Sequence, residues 1–471
     1  MSDYNFLMEI RLSPPQFQVL NTMSRVSADA GLNLYLVGGA VRDLTSGHNH
    51  IRNLDFAVEG NVQKILRAFE TGSGRKSPSA VSQTLPREPA AKPEQTYFDS
   101  RRQAASLKFA QGVQVAIARA RREIHSHSGR APEIIPAGIF EDLRRRDFSA
   151  NAMAVSLHPN SRGLLLDPTN GAADIERREF RALDSHGFLA DPSRIYRLLR
   201  LSDRLGFKAE QRTQGWLHTA IEARAWESMS PEQQSRELRA LLQEERPARV
   251  LRIFAHHSLL AGLDRSLATG KIPFDHLQKL RSIVRSVPDA DPFMVQFHGL
   301  VEKFSPAHRK RLAQKVMSDA KTLRTALSLD ADARKLAKSL ASSKMSASSA
   351  VYKFLENQPQ PLLLYTLAHY PQAKVQTRLK NFLFKFPQVR AKLPRAELLA
   401  LGVEPGPQAE EALNQLFLSI LDGKVKTQPQ ITKTLRELAG LESEPLHKPD
   451  TPLPASINNK MDPKSKRPRK R

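Results

Sequence analysis

The feature that most constrains this chain is a pair of adjacent glycines between an apolar run and a helix-forming segment. Residues 34–43 read LYLVGGAVRD, and a second apolar run, NLDFAV, carries Asp55. Two glycines let backbone N–H groups approach an anion closely, and the start of the following helix adds the positive end of its dipole. Gly38, Gly39 and Arg42 therefore predict a triphosphate-binding turn, with Arg42 as a bidentate clamp.

The second apolar run places polar side chains where a metal ion could bind. Residues i and i+2 of a strand point to the same face, so Asn53 and Asp55 share one side. Two carboxylates at this spacing would suit a pair of Mg²⁺ ions, but Asn53 supplies only a neutral amide oxygen. Asp55 is the predicted metal ligand, at a site that is weakened or lost. The alternative is an ordinary carboxylate at a strand end.

Further segments follow in order. They are DLRRRDFSANAMA at residues 142–154, DPTNG at 167–171, DPSRIYRLLR at 191–200, and ELLALGVEPGP at 397–407 with LDGKV at 421–425. Together with the glycine pair they resemble the class II tRNA nucleotidyltransferase and bacterial poly(A) polymerase family. That family reads G-G-x-V-R-D, D-x-D, D-L-x-R-R-D-F-[ST]-x-N-A-M-A, D-P-x-x-G and E-D-P-x-R-x-x-R, and its long CCA-adding members share the tail segment. A lone glycine pair would be weak evidence, whereas several ordered motifs are strong.

The resemblance covers roughly residues 30–210 and 390–430, with Ala190 where the family has glutamate. It implies an α/β nucleotidyltransferase (polymerase-beta-like) domain followed by an all-α, elongated RNA-binding region. It also implies attack of an RNA 3′-hydroxyl on the α-phosphate of a nucleoside triphosphate, with two divalent metals about 3.5–4 Å apart. The family's third carboxylate corresponds to Gln114. Asp55, Asn53 and Gln114 are thus the candidate catalytic positions.

The resemblance also implies a nucleotide-binding set. Arg145 and Arg146 should face the triphosphate, while Asp142 and Asp147 orient guanidinium groups or ribose. Asp191 and Arg194 should recognise the base of the incoming nucleotide. The full set is Gly38, Gly39, Arg42, Asp43, Asp142, Arg145, Arg146, Asp147, Asn151, Asp191, Arg194 and Arg197. The alternatives are a solvated helix face for the arginines and a simple ion pair for the base-reading residues.

Charge and composition agree with an RNA partner. The formal net charge is +24, from 72 basic and 48 acidic residues, and residues 460–471 contribute only +6 of it (seven basic minus one acidic). A basic balance of this size favours polyanions, although solubility and a basic tail are the alternative. Without cysteine, a disulfide framework, a thiolate zinc site and a cysteine nucleophile are excluded. The absence of a long apolar run and of a secretory signal predicts a cytoplasmic protein without a membrane span.

The chain is predicted to form four regions. These are a head at 1–157 with a flexible insertion at 71–95, a helical neck at 158–265, a helical body and tail at 266–445, and a disordered basic tail at 446–471. Strands are predicted at 34–37, 54–58 and 113–117, with a helix at 62–69. Later helices are predicted at 193–205, 231–243, 248–254, 275–287, 309–327, 333–340, 376–384 and 409–421. No spaced His/Asp set indicates a metal-dependent phosphohydrolase domain, and the adjacent pair His256 and His257 predicts no metal site.

Three functions are compatible with the sequence. The first is transfer of CMP and AMP from CTP and ATP to the 3′ end of tRNA or a related RNA, or AMP addition alone, as in poly(A) polymerases. The second is a catalytically silent RNA-binding relative, favoured by Asn53 and Gln114. The third is a basic helical scaffold with a relic fold. CCA addition is preferred to poly(A) addition because of the tail segment and because the basic G-[RK]-[RK]-F segment is missing.

Overall fold

The computed structural model describes residues 4–48, 51–71, 91–124, 133–288, 290–317, 319–343, 345–400, 402–404 and 406–440. The chain forms two compact units. Unit 1 comprises the described residues up to Ala341 together with Gln358–Gln376, and unit 2 comprises Ser342–Asn357 and the described residues from Thr377 onward.

A mixed seven-stranded sheet forms the centre of the N-terminal part of unit 1, in the order β3-β4-β5-β2-β1-β8-β9. Only β2 and β5 run parallel in it; the other neighbours are antiparallel. Two small pairs, β6 with β7 and β10 with β11, stand apart from it. The strands are β1 (Asn33–Val37), β2 (Leu54–Glu59), β3 (Pro93–Asp99), β4 (Ala104–Phe109), β5 (Gln114–Arg119), β6 (Arg121–Ile124), β7 (Glu133–Pro136), β8 (Ala154–Ser156), β9 (Leu165–Leu166), β10 (Glu179–Phe180) and β11 (Lys208–Ala209).

Helices supply most of the rest of the described chain. The first group is α1 (Tyr4–Arg11), α2 (Pro14–Asp29), α3 (Gly39–Thr45), α4 (Val62–Thr71), α5 (Ile139–Arg144), α6 (Gly171–Glu176), α7 (Gly187–Ala190), α8 (Ser193–Leu205), α9 (Gln211–Glu222), α10 (Pro231–Leu242), α11 (Pro247–His256) and α12 (Leu260–Leu263). The second group is α13 (Arg265–Thr269), α14 (Phe274–Arg285), α15 (Phe293–Val301), α16 (Pro306–Val316), α17 (Ala320–Ala341), α18 (Ser348–Leu355), α19 (Gln360–His369), α20 (Ala373–Lys380), α21 (Phe386–Ala391), α22 (Arg395–Ala400), α23 (Pro407–Leu421) and α24 (Gln428–Leu438).

The sheet is half-buried along its central strands because helices cover it. In β1, Leu34 and Leu36 are buried, and a small cluster made of Val37, Ala57, Ile139, Leu143 and Ala154 joins the sheet to α5. Since Ala57 and Asp55 are two residues apart on one strand, α5 packs on the face that carries Asp55. The core therefore places the arginine segment that follows α5 beside the predicted metal strand.

The α/β class and the helical remainder are confirmed, and α8 has the predicted bounds. Helix α8 is fixed by Tyr196, which is buried, donates a hydrogen bond to the Leu259 carbonyl at 2.7 Å and meets Phe254 edge-on. None of the helices in the described part of the chain has both the length and the apolar character to cross a membrane.

One local helix prediction is wrong, and the flexible insertion stays a prediction. The insertion predicted at 71–95 overlaps β3, whose residues pair antiparallel with β4; residues 72–90 lie outside the described part of the chain. Strand β3 is mostly exposed, so it lacks the alternation that identifies a half-buried strand. The helix predicted at 309–327 is divided between α16 and α17, because Asp319 caps α17 by accepting the Thr322 N–H at 2.8 Å.

Unit 2 has its own apolar core. Leu413, Leu416 and Phe417 on α23 pack with Phe386 and Leu435. The core continues to the α18 residue Tyr352, whose ring meets Phe417 edge-on at 4.9 Å. The family-like segment at 397–407 thus runs from α22 to the start of α23, and its residues 401 and 405 are outside the described part of the chain. At the end of α23, Asp422 accepts hydrogen bonds from the Ser349 N–H and hydroxyl at 2.8 and 2.7 Å.

Candidate active site

The glycine pair forms a sharp turn between β1 and α3. Gly38 has φ 68°, a left-handed value that favours glycine. A Cβ atom on Gly38 would also lie 3.0 Å from Nη1 of Arg146, so the guanidinium lies directly against the turn. Both the backbone conformation and the available space therefore require glycine here. An anion bound next to Gly38 would therefore lie close to the positive charge of the Arg146 guanidinium.

Asp142 orients the two arginines that follow α5. Its buried carboxylate accepts from Nη2 of Arg146 at 2.9 Å, from Nε of Arg145 at 3.1 Å and from the Arg121 N–H at 3.3 Å. Burial by itself would raise the pKa of Asp142, but Arg146 and Arg145 hold that pKa below its ordinary value. The ionised carboxylate contacts both guanidinium groups, and its role in orienting them toward a triphosphate stays a prediction.

Arg42 is more constrained than the sequence indicates. Its side chain is buried, and its Nε and Nη2 donate to Oδ1 of Asp43 at 2.9 and 2.7 Å. Its Nη1 donates to Oδ1 of Asn151 at 2.7 Å. Three of its five N–H donors are thus used within the protein. Arg42 therefore connects α3, which follows the glycine turn, to Asn151. Its role as a triphosphate clamp stays a prediction.

Asp147 connects the segment at 142–154 to α8. It accepts from Nη1 of Arg197 at 2.6 Å, from Nδ2 of Asn151 at 3.0 Å and from the Phe148 N–H at 2.8 Å. Burial raises the pKa of Asp147, yet Arg197, Asn151 and Arg194 outweigh it and lower that pKa to about 2. The carboxylate is therefore charged whenever the protein is folded near neutral pH, and it anchors α8 to the head.

We expect Asp147→Asn to lower the free energy of unfolding by about 2–3 kcal/mol, since the half-buried Arg197 then keeps only its longer ion pair with Glu237, at 3.7 Å. Because folding lowers this pKa, the wild type holds the contribution above the ordinary value near 4 and loses it as the pH falls toward 2. Denaturant unfolding at several pH values should show the difference between the two proteins narrowing on acidification. Asp275→Asn is the control, since its ion pair with Arg252 is exposed and should contribute less than about 1 kcal/mol.

The predicted base-reading pair lies at the start of α8. Asp191 and Arg194 are 3.7 Å apart, and Oδ1 of Asp191 accepts from the Ser193 hydroxyl at 2.6 Å and from Nε2 of Gln233 at 2.8 Å. Nη2 of Arg194 donates to the Arg145 carbonyl at 3.3 Å. The pair is therefore held in place from the neck and contacts the arginine segment of the head.

The metal strand brings together the three predicted catalytic positions. The parallel register of β2 and β5 pairs Leu54 with Val115, which places Asn53 beside Gln114 on the face that carries Asp55. Asn53 and Gln114 are exposed and Asp55 is half-buried. All three line a cavity of about 530 Å³.

A residue that the sequence analysis missed completes this cavity. Lys108 on β4 is the register partner of Gln114, so its side chain emerges on the same face, and it lines the cavity with Tyr97 and Ser106. The strand AASLKF alternates buried and exposed residues and precedes a tight turn, Ala-Gln-Gly, before β5. This period of two, followed by a turn, is the signal that identifies β4 and the position of Lys108.

The donor set does not fit a pair of magnesium ions. Mg²⁺ prefers carboxylate oxygens, and the residues lining this cavity offer one carboxylate, three amides (Asn53, Gln95 and Gln114) and one ammonium group. Burial also raises the pKa of Asp55, against the opposing effect of Arg146 and Arg42. A second divalent ion would meet Lys108 with too little negative charge to offset its dehydration.

Comparisons with known proteins match the part of the chain that carries this site. Residues 34–181 match the family described as the poly(A) polymerase head domain. An A-adding tRNA nucleotidyltransferase of Halalkalibacterium halodurans is 27% identical over 92% of this chain and 94% of the relative. A CC-adding tRNA nucleotidyltransferase of Deinococcus radiodurans is 35% identical over 54% of this chain and 62% of the relative.

These matches support the resemblance of the chain to the class II tRNA nucleotidyltransferase and bacterial poly(A) polymerase family. Among solved structures, a Thermotoga maritima CCA-adding enzyme complexed with tRNA is 24% identical, with a TM-score of 0.45, over 94% of this chain and 99% of the other. Nucleotidyltransferases of this family generally use Mg²⁺. The amides and the lysine around Asp55 thus set this chain apart from the family pattern.

Proposed function

We propose that this protein binds CTP or ATP at the glycine turn and transfers CMP or AMP to the 3′ end of tRNA or a related RNA. The observation that carries the proposal is the convergence of Gly38, Arg146 and Asp55 at one end of the site with Asp191 and Arg194 at the other. The first group suits a triphosphate and the second a base edge. A cytoplasmic location is proposed with this substrate.

In this scheme the triphosphate lies over Gly38, where Arg146 neutralises part of its charge. Asp142 keeps that guanidinium in place, since it holds Arg146 at 2.9 Å. The RNA 3′-hydroxyl forms a bond to the α-phosphorus, and the bond from that phosphorus to the bridging oxygen of the leaving pyrophosphate breaks. Asp55 is the carboxylate on this face, and it supplies the negative charge that can hold a cation or receive the hydroxyl proton.

A silent RNA-binding relative is the second candidate, favoured by Asn53, Gln114 and Lys108. In that protein the nucleotide and the RNA would still bind, while turnover would be absent. The ammonium group of Lys108 would then neutralise phosphate charge where a metal ion acts in an active enzyme. The net charge of +24 suits an RNA partner in either case.

The test uses purified protein, tRNA that lacks its CCA end, and labelled CTP and ATP with Mg²⁺ or Mn²⁺. Label at the RNA 3′ end would establish the enzyme, and the order of nucleotides would separate CC, A, CCA and poly(A)-like addition. Tight, salt-dependent tRNA binding without incorporation would establish the silent relative instead. If the protein neither binds tRNA nor incorporates nucleotide, both proposed functions are overturned.

A further inference from the structure

We propose that His276, Glu302 and His369 form a binding site for a divalent transition-metal ion of the zinc type, away from the nucleotide site. The three side chains come from α14, from the residue after α15 and from the end of α19, all within unit 1. Each offers one ligand atom, and these atoms lie within 4.8 Å of one another. Among the described residues this is the one such group of three histidine or acidic side chains.

His369 is already arranged as a metal ligand. Its Nδ1 lies 2.9 Å from the Tyr365 carbonyl, and since a carbonyl can only accept, Nδ1 carries the proton. In the neutral ring, Nε2 then holds the lone pair. That Nε2 is buried and has no hydrogen-bond partner among the described residues. A histidine whose second nitrogen donates to a backbone carbonyl is the usual arrangement around protein-bound metals.

His276 and Glu302 have the spacing of two ligands of one ion. Nε2 of His276 is 3.5 Å from Oε2 of Glu302, and that nitrogen is also buried without a hydrogen-bond partner. Two ligands about 2.0–2.1 Å from a tetrahedral zinc ion lie about 3.3–3.4 Å apart. A direct His–Glu hydrogen bond would satisfy the imidazole as well, but the contact lacks hydrogen-bond geometry. Neither Nε2 of His276 nor Nε2 of His369 has a hydrogen-bond partner among the described residues. The two buried nitrogens therefore point to one shared metal ion.

Aromatic contacts keep the histidine ligands in place. The ring of His369 stacks on Tyr365 with centroids 3.9 Å apart and meets the His276 ring at 5.0 Å.

Two imidazoles and one carboxylate select the kind of ion. Nitrogen ligands suit zinc, copper, nickel and iron, whereas Mg²⁺ and Ca²⁺ prefer oxygen ligands throughout. Three protein ligands leave a fourth position for water, and Glu302 is exposed, which gives the ion a path from solvent. Helix α19 packs against α14, α15 and α17, so a bound ion would tie three neighbouring helices together. The role expected of it is structural.

The experiment is a zinc titration of the untagged, chelator-stripped protein, followed by calorimetry and by thermal unfolding. We expect about one zinc per chain and a rise in Tm of about 5 °C at saturating metal. His369→Gln and His276→Gln should each weaken zinc binding at least about 100-fold, since even loss of an outer partner costs 10–100-fold. Co²⁺ in place of zinc should give a visible absorption band that both variants lose.

Two controls separate this site from others. His218→Gln removes an exposed histidine that also faces a glutamate, Glu222, at 3.1 Å, and it should bind zinc as the wild type does. Asp55→Asn should retain the same stoichiometry, which excludes the nucleotide site as the source. The far-ultraviolet circular dichroism of each variant must match that of the metal-free wild type. The proposal is overturned if the wild type binds no zinc, or if folded His276 and His369 variants bind it unchanged.

Discussion

Asp55→Asn is expected to lower nucleotide incorporation into tRNA at least about a hundredfold. Asp55 is the carboxylate on the face formed by β2, β4 and β5, where Asn53, Gln114 and Lys108 supply no negative charge. An amide in its place would leave that face with a net positive charge. Neither a cation nor the proton of an attacking hydroxyl could then be held there. Single-turnover incorporation of labelled CTP and ATP measures the effect.

The matched control for this variant is Asp99→Asn. Asp99 ends β3 and accepts the Arg102 N–H at 3.0 Å, so it is a carboxylate of the same sheet outside the candidate site. It should incorporate nucleotide within a factor of about two of the wild type. If Asp55→Asn retained the wild-type rate in a protein that incorporates nucleotide, Asp55 would have no part in catalysis.

Restoring the missing carboxylates is expected to act in the opposite direction. The triple variant Asn53→Asp, Gln114→Glu, Lys108→Ser changes the charge of this face from zero to −3, counting Asp55 and Lys108. Two Mg²⁺ ions then meet enough negative charge to offset their dehydration. We expect Mg²⁺-dependent incorporation to rise at least about tenfold, or to appear where the wild type has none. The Mg²⁺ concentration that gives half of the maximal rate should also fall.

A charge-preserving variant tests whether charge is the cause. Asn53→Gln with Gln114→Asn alters the shape of the same positions and leaves one carboxylate, so it should gain no activity. A restored variant that bound Mg²⁺ no better than the wild type, measured by calorimetry, would show that the amides and Lys108 are not what limits metal binding.

Local motifs could be located from the sequence, whereas their internal contacts could not. The glycine turn, the segment from Asp142 to Asn151 and the start of α8 were predicted because each is continuous along the chain. The hydrogen bond between Arg42 and Asn151 joins residues 109 positions apart. No local pattern encodes such a contact. A buried arginine and an exposed one look alike in the sequence.

The same limit applies to the edge of the sheet and to the histidine site. Strand β3 was missed because its exposed residues lack a buried face, and Lys108 was missed because its position becomes meaningful only when β4 pairs with β5. His276, Glu302 and His369 are separated by 26 and 67 positions along the chain (302−276 and 369−302), and the fold brings them together. Their spacing matches no metal-binding motif, so only the packing of α14, α15 and α19 identifies them.

The contacts of α8 with the head have a thermodynamic consequence for substrate choice. Arg197 holds Asp147 at 2.6 Å, and Arg194 reaches the Arg145 carbonyl, so the groups proposed for the base and those proposed for the phosphates belong to one bonded array. Ligands at the two ends should then influence each other reciprocally. Pyrophosphate at the glycine turn should change the affinity for a nucleoside at α8 by the same factor by which that nucleoside changes the affinity for pyrophosphate. Discrimination between cytosine and adenine would thus be a property of the whole array and would weaken when either end is loosened.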